Sequence, residues 1–312
     1  MNKPALLIIG HGSRDNDAVT EFKQLVTAFR LAYPERLCDY GFLEFARPLI
    51  VDGLNGLIAQ GAKKVTAIPA MLMAAGHVKN DIPSEVNNLQ ADYPEVEIQY
   101  GTDLGIHANL LQAARERIES VESQFGADYN RKSTLLMVVG RGTSDADANS
   151  NISKVTRMLG EGMGFGWAET SYSGVTTPLV HDALKTVKGL GFKRIIVFPY
   201  FLFTGRLVKR IYQHCDEFQQ THADIQLIKA PYLNDHALVL KTFYQRLEET
   251  EAGTGNMNCQ LCQYREQIIG AEHKVGMAQQ GHHHHVRGIG TDHDHQHDHH
   301  HQSGESALEQ EP

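Results

Sequence analysis

Long apolar runs are absent from this chain of 312 residues, and no stretch approaches the ~20 consecutive apolar residues that a membrane-spanning helix requires. The opening Ala5 to Ile9 run is too short for the core of a secretion signal, so the expected location is cytoplasmic, with no membrane partner. Cysteine is scarce, and four residues without a secretory signal do not make a disulfide framework. A surplus of positive charge is also missing. The formal net charge is −8, of which residues 251 to 312 carry −6 through nine acids against three Lys or Arg; no nucleic-acid binding is expected. What is present, 41% hydrophobic and 21% charged residues, suits a globular protein with room for two domains.

The chain repeats itself. Residues 6 to 18, LLIIGHGSRDNDA, return at 135 to 148 as LLMVVGRGTSDADA, with an offset of 130 through the motif. Pro48-Leu49 and Asp52 recur as Pro178-Leu179 and Asp182, and Gly76-His77-Val78-Lys79 recurs around Gly205-Arg206 and Lys209. Both halves therefore share one fold. The frame is kept while reactive side chains change: His11 becomes Arg141, Glu44 becomes Gly174, and His77 becomes Arg206. Two imidazoles and a carboxylate can bind a divalent cation or move protons; two guanidinium groups can do neither. The expected division is a catalytic half at 1–128, a substrate clamp at 129–250, and a tail at 251–312.

Short β-branched runs alternate with segments of helical period. In the first half they are Ala5 to Gly10, Leu37 to Glu44, Val65 to Leu72 and Val96 to Gly101, and the second half repeats the order. The expected fold class is α/β, two tandem domains that each have a mostly parallel sheet flanked by helices. Ligands in such sheets bind beyond the carboxyl ends of the strands. His11, Glu44 and His77 should therefore meet at one sheet edge, with Arg141 and Arg206 on the facing wall.

Each motif has a plainer alternative. His11 in Gly10-His11-Gly12 suits a tight turn, Glu44 could serve only to pair with Arg47, and Met71 and Met73 suit core packing as well as a pocket for a flat ligand. Cys38 and Cys215 read as buried free thiols, and His107 and His236, kept in both halves, as structural residues near helix starts.

Beyond residue 250 a polar linker leads to Cys259-Gln-Leu-Cys262, which fits half a zinc site, a redox pair, or half of a four-cysteine cluster. A tract follows with ten histidines in twenty residues: His282, His283, His284, His285, His293, His295, His297, His299, His300 and His301. It cannot bury enough apolar surface to fold alone and reads as a disordered metal-buffering tail.

These residues resemble the class II tetrapyrrole chelatases, and within them the long-form sirohydrochlorin cobaltochelatases of the CbiX type. The match rests on Gly10-His11-Gly12-Ser13-Arg14, Ala75-Gly76-His77, the two-half architecture, and the Met-x-Cys-x-x-Cys plus histidine tail. The resemblance implies insertion of Co²⁺ into sirohydrochlorin for cobalamin synthesis, with two protons released. It makes His11 and His77 the metal-binding and catalytic pair, with Glu44 as a third member. It also implies carboxylate-binding roles for Ser13, Arg14, Lys79, Arg141 and Arg206, because the substrate carries eight carboxylates. A [4Fe-4S] cluster at Cys259 and Cys262 is the corresponding expectation for the tail, with a homodimer as one source of further ligands. Fe²⁺ insertion for sirohaem, Ni²⁺ insertion, and a non-enzymatic metal store or metallochaperone remain the rival readings.

Overall fold

The computed structural model describes residues 4–255, 257 and 259–278. The histidine tract from His282 to His301 and its expected disorder lie outside the described residues.

Strands β1 (Ala5–Gly10), β2 (Cys38–Phe42), β3 (Lys64–Pro69) and β4 (Glu97–Tyr100) form a parallel sheet in the order β2-β1-β3-β4. Strands β5 (Thr134–Gly140), β6 (Trp167–Tyr172), β7 (Arg194–Pro199) and β8 (Gln226–Lys229) repeat this as β6-β5-β7-β8. The helices are α1 (Asn16–Ala32), α2 (Ile50–Ala59), α3 (Ile82–Asp92), α4 (Ala108–Glu122), α5 (Ala146–Met163), α6 (Val180–Lys188), α7 (Arg206–Thr221) and α8 (Ala237–Glu251). No helix among the described residues is long and apolar enough to cross a membrane.

Alternation along each strand sends successive side chains to opposite faces. In β1, Leu7 and Ile9 pack under α2 and α3 with Leu54 and Val86, while Leu6 and Ile8 face α1 with Phe22 and Phe29. In β5, Leu135 and Met137 pack with Leu184 of α6 and Ile211 of α7, while Leu136 and Val138 face Val155 of α5. The faces carrying Leu6 and Leu136 share one continuous core that joins the halves. Burial on both faces explains why these strands are apolar throughout.

The last helices exchange sides. α8 packs on β3 and α1 of the first half, and α4 packs on α5 of the second. Arg36 pairs with Glu251, and Arg246 Nη2 donates to the carbonyl of Leu104 at 2.8 Å. These contacts cross the expected division near residue 128, so the packing does not follow it.

Two strands of the first half end two or three residues before the expected position. β2 ends at Phe42 because the chain turns back over β1: Leu43 N–H donates to Gly10 O at 2.8 Å, Glu44 N–H to His11 O at 3.0 Å, and Phe45 takes φ +62°. β3 ends at Pro69, and the following loop reaches a one-turn π-helix, His77–Asp81, that leads into α3. His107 and His236 cap α4 and α8, each ring accepting a backbone N–H, as a structural role requires. Cys38 and Cys215 are buried free thiols.

Candidate active site

β1 leads one way to β2 and the other way to β3, so the crevice between their carboxyl ends is the switch point where open sheets bind ligands. His11 leaves β1 there, and His77 opens the π-helix that follows the loop beyond β3. Their Nε2 atoms are 3.0 Å apart, and Glu44 Oε1 lies 3.0 Å from His11 Nε2. The three residues form the one group of His, Cys, Asp or Glu among the described residues that is spaced to hold a metal ion.

Gly12 is what allows this approach. At φ +91°, a Cβ on it would stand 1.6 Å from the Glu44 carbonyl oxygen, so only glycine lets the β2 loop close over His11. Glu44 sits two residues past the strand end and is 2% exposed, whereas Arg47 is exposed; its carboxylate turns to the imidazole.

Hydrogen bonds assign the tautomers. His11 Nδ1 donates to Gly12 O at 2.8 Å, and His77 Nδ1 donates to Asp81 Oδ2 at 2.7 Å. Both Nε2 lone pairs then face the same point, an arrangement that is repulsive until a proton or a cation enters. Burial pushes the His77 imidazole below its ordinary pKa and prevails over the opposing bond from Asp81. A neutral imidazole oriented by a carboxylate is the usual state of a metal-binding histidine. Asp81 is itself buried and accepts from Asn80 Nδ2 at 2.8 Å. Asp81 is not among the residues the sequence singles out, although it stands four residues from His77, the spacing of one helical turn.

A cleft of about 680 Å³ opens from this group and separates the halves. Ser13 and Arg14 line it beside His11; Arg141 and Arg206 line it from the second half. Ser13 Oγ accepts from Asp15 N–H at 3.0 Å and can still donate its own proton. Met71 and Met73 line the cleft while also packing against core residues. The aromatic lining from Phe45, Phe201 and Phe203 was not foreseen.

Lys79 does not join the cleft. Its ammonium is buried, 2.8 Å from Asp145 Oδ2 and 3.1 Å from Asp147 Oδ2 of the facing half. Burial alone would lower its pKa, but these two carboxylates prevail and raise it. A buried ammonium needs such partners, so the expected carboxylate-binding role is replaced by a bridge between halves. Lys209 forms the matching exposed bridge to Asp15 and Asp17, at 2.8 and 2.7 Å.

Cys259 is half-buried and Cys262 buried, beside a separate pocket of about 300 Å³. Among the described residues, no third His, Cys, Asp or Glu gathers with them at ligand spacing. A [4Fe-4S] cluster takes four ligands, and the two thiols do not complete one.

The CbiX family model matches residues 5–121 and 135–250, one copy on each repeat. A sirohydrochlorin cobaltochelatase from Priestia megaterium is 36% identical over 266 residues, covering 85% of this chain and 86% of that protein. A sirohydrochlorin ferrochelatase from the same organism is 30% identical over 233 residues, 74% and 85% of the two chains. The solved structure of SirB from Bacillus subtilis with Fe³⁺ superposes with a TM-score of 0.70 at 25% identity, over 82% of this chain and all of that one. The asymmetric duplication seen in the cleft is thus carried on a frame these proteins share, and this chain belongs to the CbiX family.

Proposed function

We propose that the cleft inserts a divalent metal, Co²⁺ in the first instance, into sirohydrochlorin with release of two protons. The observation that carries this reading is the pair of imidazole Nε2 atoms 3.0 Å apart beside a buried carboxylate. Neutral nitrogen donors hold the incoming metal. As it enters the macrocycle, two pyrrole N–H protons must leave, and the imidazoles and Glu44 are bases within reach.

The halves divide the work in this reading. The first supplies His11, His77 and Glu44 to the metal and the protons. The second supplies Arg141 and Arg206, with Arg14 opposite, to the carboxylates of the macrocycle, since guanidinium groups pair with carboxylates in a two-pronged fork. Fe²⁺ is the second reading, supported by the ferrochelatase relative. The donor set accepts both ions, and the greater identity to the cobaltochelatase favours Co²⁺.

The test follows the visible absorption of sirohydrochlorin with Co²⁺ or Fe²⁺ under anaerobic conditions, for wild type, His11→Ala and His77→Ala. Wild type should accelerate insertion and both variants should fall to near the uncatalysed rate. Equal rates with and without wild-type protein would overturn the chelatase reading and leave metal storage in the tail.

A further inference from the structure

The loop after β2 and the loop after β6 are the same object built twice. Phe42 N–H donates to Pro48 O at 2.8 Å, and Tyr172 N–H to Pro178 O at 2.9 Å; Ala46 N–H donates to Glu44 O and Thr176 N–H to Gly174 O, both at 2.8 Å. Each loop is pressed against its neighbour through a glycine that admits no Cβ, Gly12 against Glu44 and Gly142 against Gly174. Each also holds one residue other than glycine in the left-handed region, Phe45 at φ +62° and Val175 at φ +67°.

A left-handed conformation disfavours both side chains, so neither is there for the sake of the turn. Val175 is 75% exposed and stands outside the lining of the cleft. Phe45 is half-buried and lines the cleft, its ring centroid 5.8 Å from that of His11 at an interplanar angle of 35°. Arg14 Cζ stands 5.1 Å from the centroid of the same ring. The ring therefore appears only in the half that carries the histidines, wedged between the metal-facing imidazole and a guanidinium at the mouth of the cleft.

The geometry points to Phe45 as the platform on which the flat conjugated face of the substrate lies, a specificity-determining residue that sets the plane of the macrocycle over His11. This rests on the tetrapyrrole reading above. Two aromatic faces gain from offset or tilted contact beyond the area they bury, and the Arg14 guanidinium over the ring is a cation that can turn to a peripheral carboxylate as the macrocycle takes its place. The loop frame, locked by Gly12, holds the ring at a fixed height above the imidazole. A macrocycle seated on it would present its central nitrogens to the metal-facing Nε2 atoms rather than its rim.

The test is equilibrium binding of metal-free sirohydrochlorin to the full-length protein, followed by tetrapyrrole fluorescence under anaerobic conditions. Phe45→Leu keeps most of the apolar area and should weaken binding roughly threefold, the scale of an aromatic contact. Phe45→Gly removes the platform and should weaken it by more than about tenfold. Val175→Gly, the same backbone change in the other half, should bind as wild type. In turnover, Phe45→Leu should raise KM for the tetrapyrrole and leave KM for Co²⁺ unchanged. If Phe45→Gly does not fold, Phe45→Leu decides. Wild-type affinity in the Phe45 variants, with wild type itself binding, overturns the platform and leaves the chelatase reading intact. Failure of wild type to bind the tetrapyrrole overturns the reading beneath it.

Discussion

Lys79 Nζ lies 2.8 Å from Asp145 Oδ2, both side chains 3% exposed, and so one buried ion pair ties the two halves behind His77. The duplicate bond from Lys209 to Asp15 is exposed on its lysine side. The two acids also cap α5 and α1, so each bridge joins a lysine of one half to a helix start of the other. Gln263 of the cysteine segment approaches Asp145 at 3.4 Å, which places that segment over the buried bridge.

Removing Lys79 takes the buried ammonium away from both Asp145 and Asp147. Lys79→Met should cost about 3–5 kcal/mol, the scale for breaking a buried pair from one side, whereas Lys209→Met should shift the denaturation midpoint little. Urea unfolding of the two variants checks the contrast. Equal losses would show that burial does not separate the bridges.

The Lys209 bridge also fixes a pH dependence. Its hydrogen bond to Asp15 holds that carboxyl below the ordinary carboxylate value, prevailing over burial, which acts the other way. A pKa lower in the folded state than in the unfolded one stabilises the fold above the unfolded value, about pH 4. That stability is lost as the pH falls through the lowered value. The small stability gap between wild type and Lys209→Met should therefore persist from neutral pH down to about pH 4 and close below it, as measured by thermal melting.

Asp81 acts through His77. With Asp81→Ala the Nδ1 proton loses its acceptor and the Nε2 lone pair is no longer fixed on the metal. Co²⁺ affinity should fall about 10- to 100-fold, the range for the carboxylate behind a metal-bound histidine, while binding of metal-free sirohydrochlorin stays near wild type. Titration calorimetry with Co²⁺ measures the first and tetrapyrrole fluorescence the second.

Arg141→Ala and Arg206→Ala should each raise KM for sirohydrochlorin about tenfold, the worth of one charged hydrogen-bonding partner, with kcat changed less. Steady-state kinetics at saturating Co²⁺ gives the split. A fall in kcat with KM unchanged would move these residues from binding to chemistry.

Thiol reactivity should divide the cysteines. Burial pushes Cys38 and Cys215 up to about 12, so neither supplies thiolate at pH 8. A thiol reagent should modify the half-buried Cys259 in the native protein and reach Cys38 and Cys215 only on unfolding, as peptide mapping would show.

Much of the fold could be read from the chain because it depends on short-range patterns. Apolar β-branched runs, helical periods and a repeat at constant spacing are local properties, and they locate all eight strands of the described residues. Strand ends were misplaced where a turn depended on distant partners, as at Glu44, whose loop is set by backbone bonds to Gly10 and His11. The repeat also singles out the candidate site, since His11, Glu44 and His77, which the structure brings together, are the reactive side chains its second copy lacks.

The amino-acid sequence by itself determined the duplicated α/β frame, the buried strands and the identity of the residues that differ between the halves, because spacing and hydrophobic period act within a few residues. Only the tertiary structure decided which charges meet. Lys79 and Arg206 are both candidate carboxylate partners along the chain, yet the first is captured by Asp145 and Asp147 and the second lines the cleft. A charged group's role depends on burial and on partners distant in sequence, and those are fixed only when the two halves pack against each other.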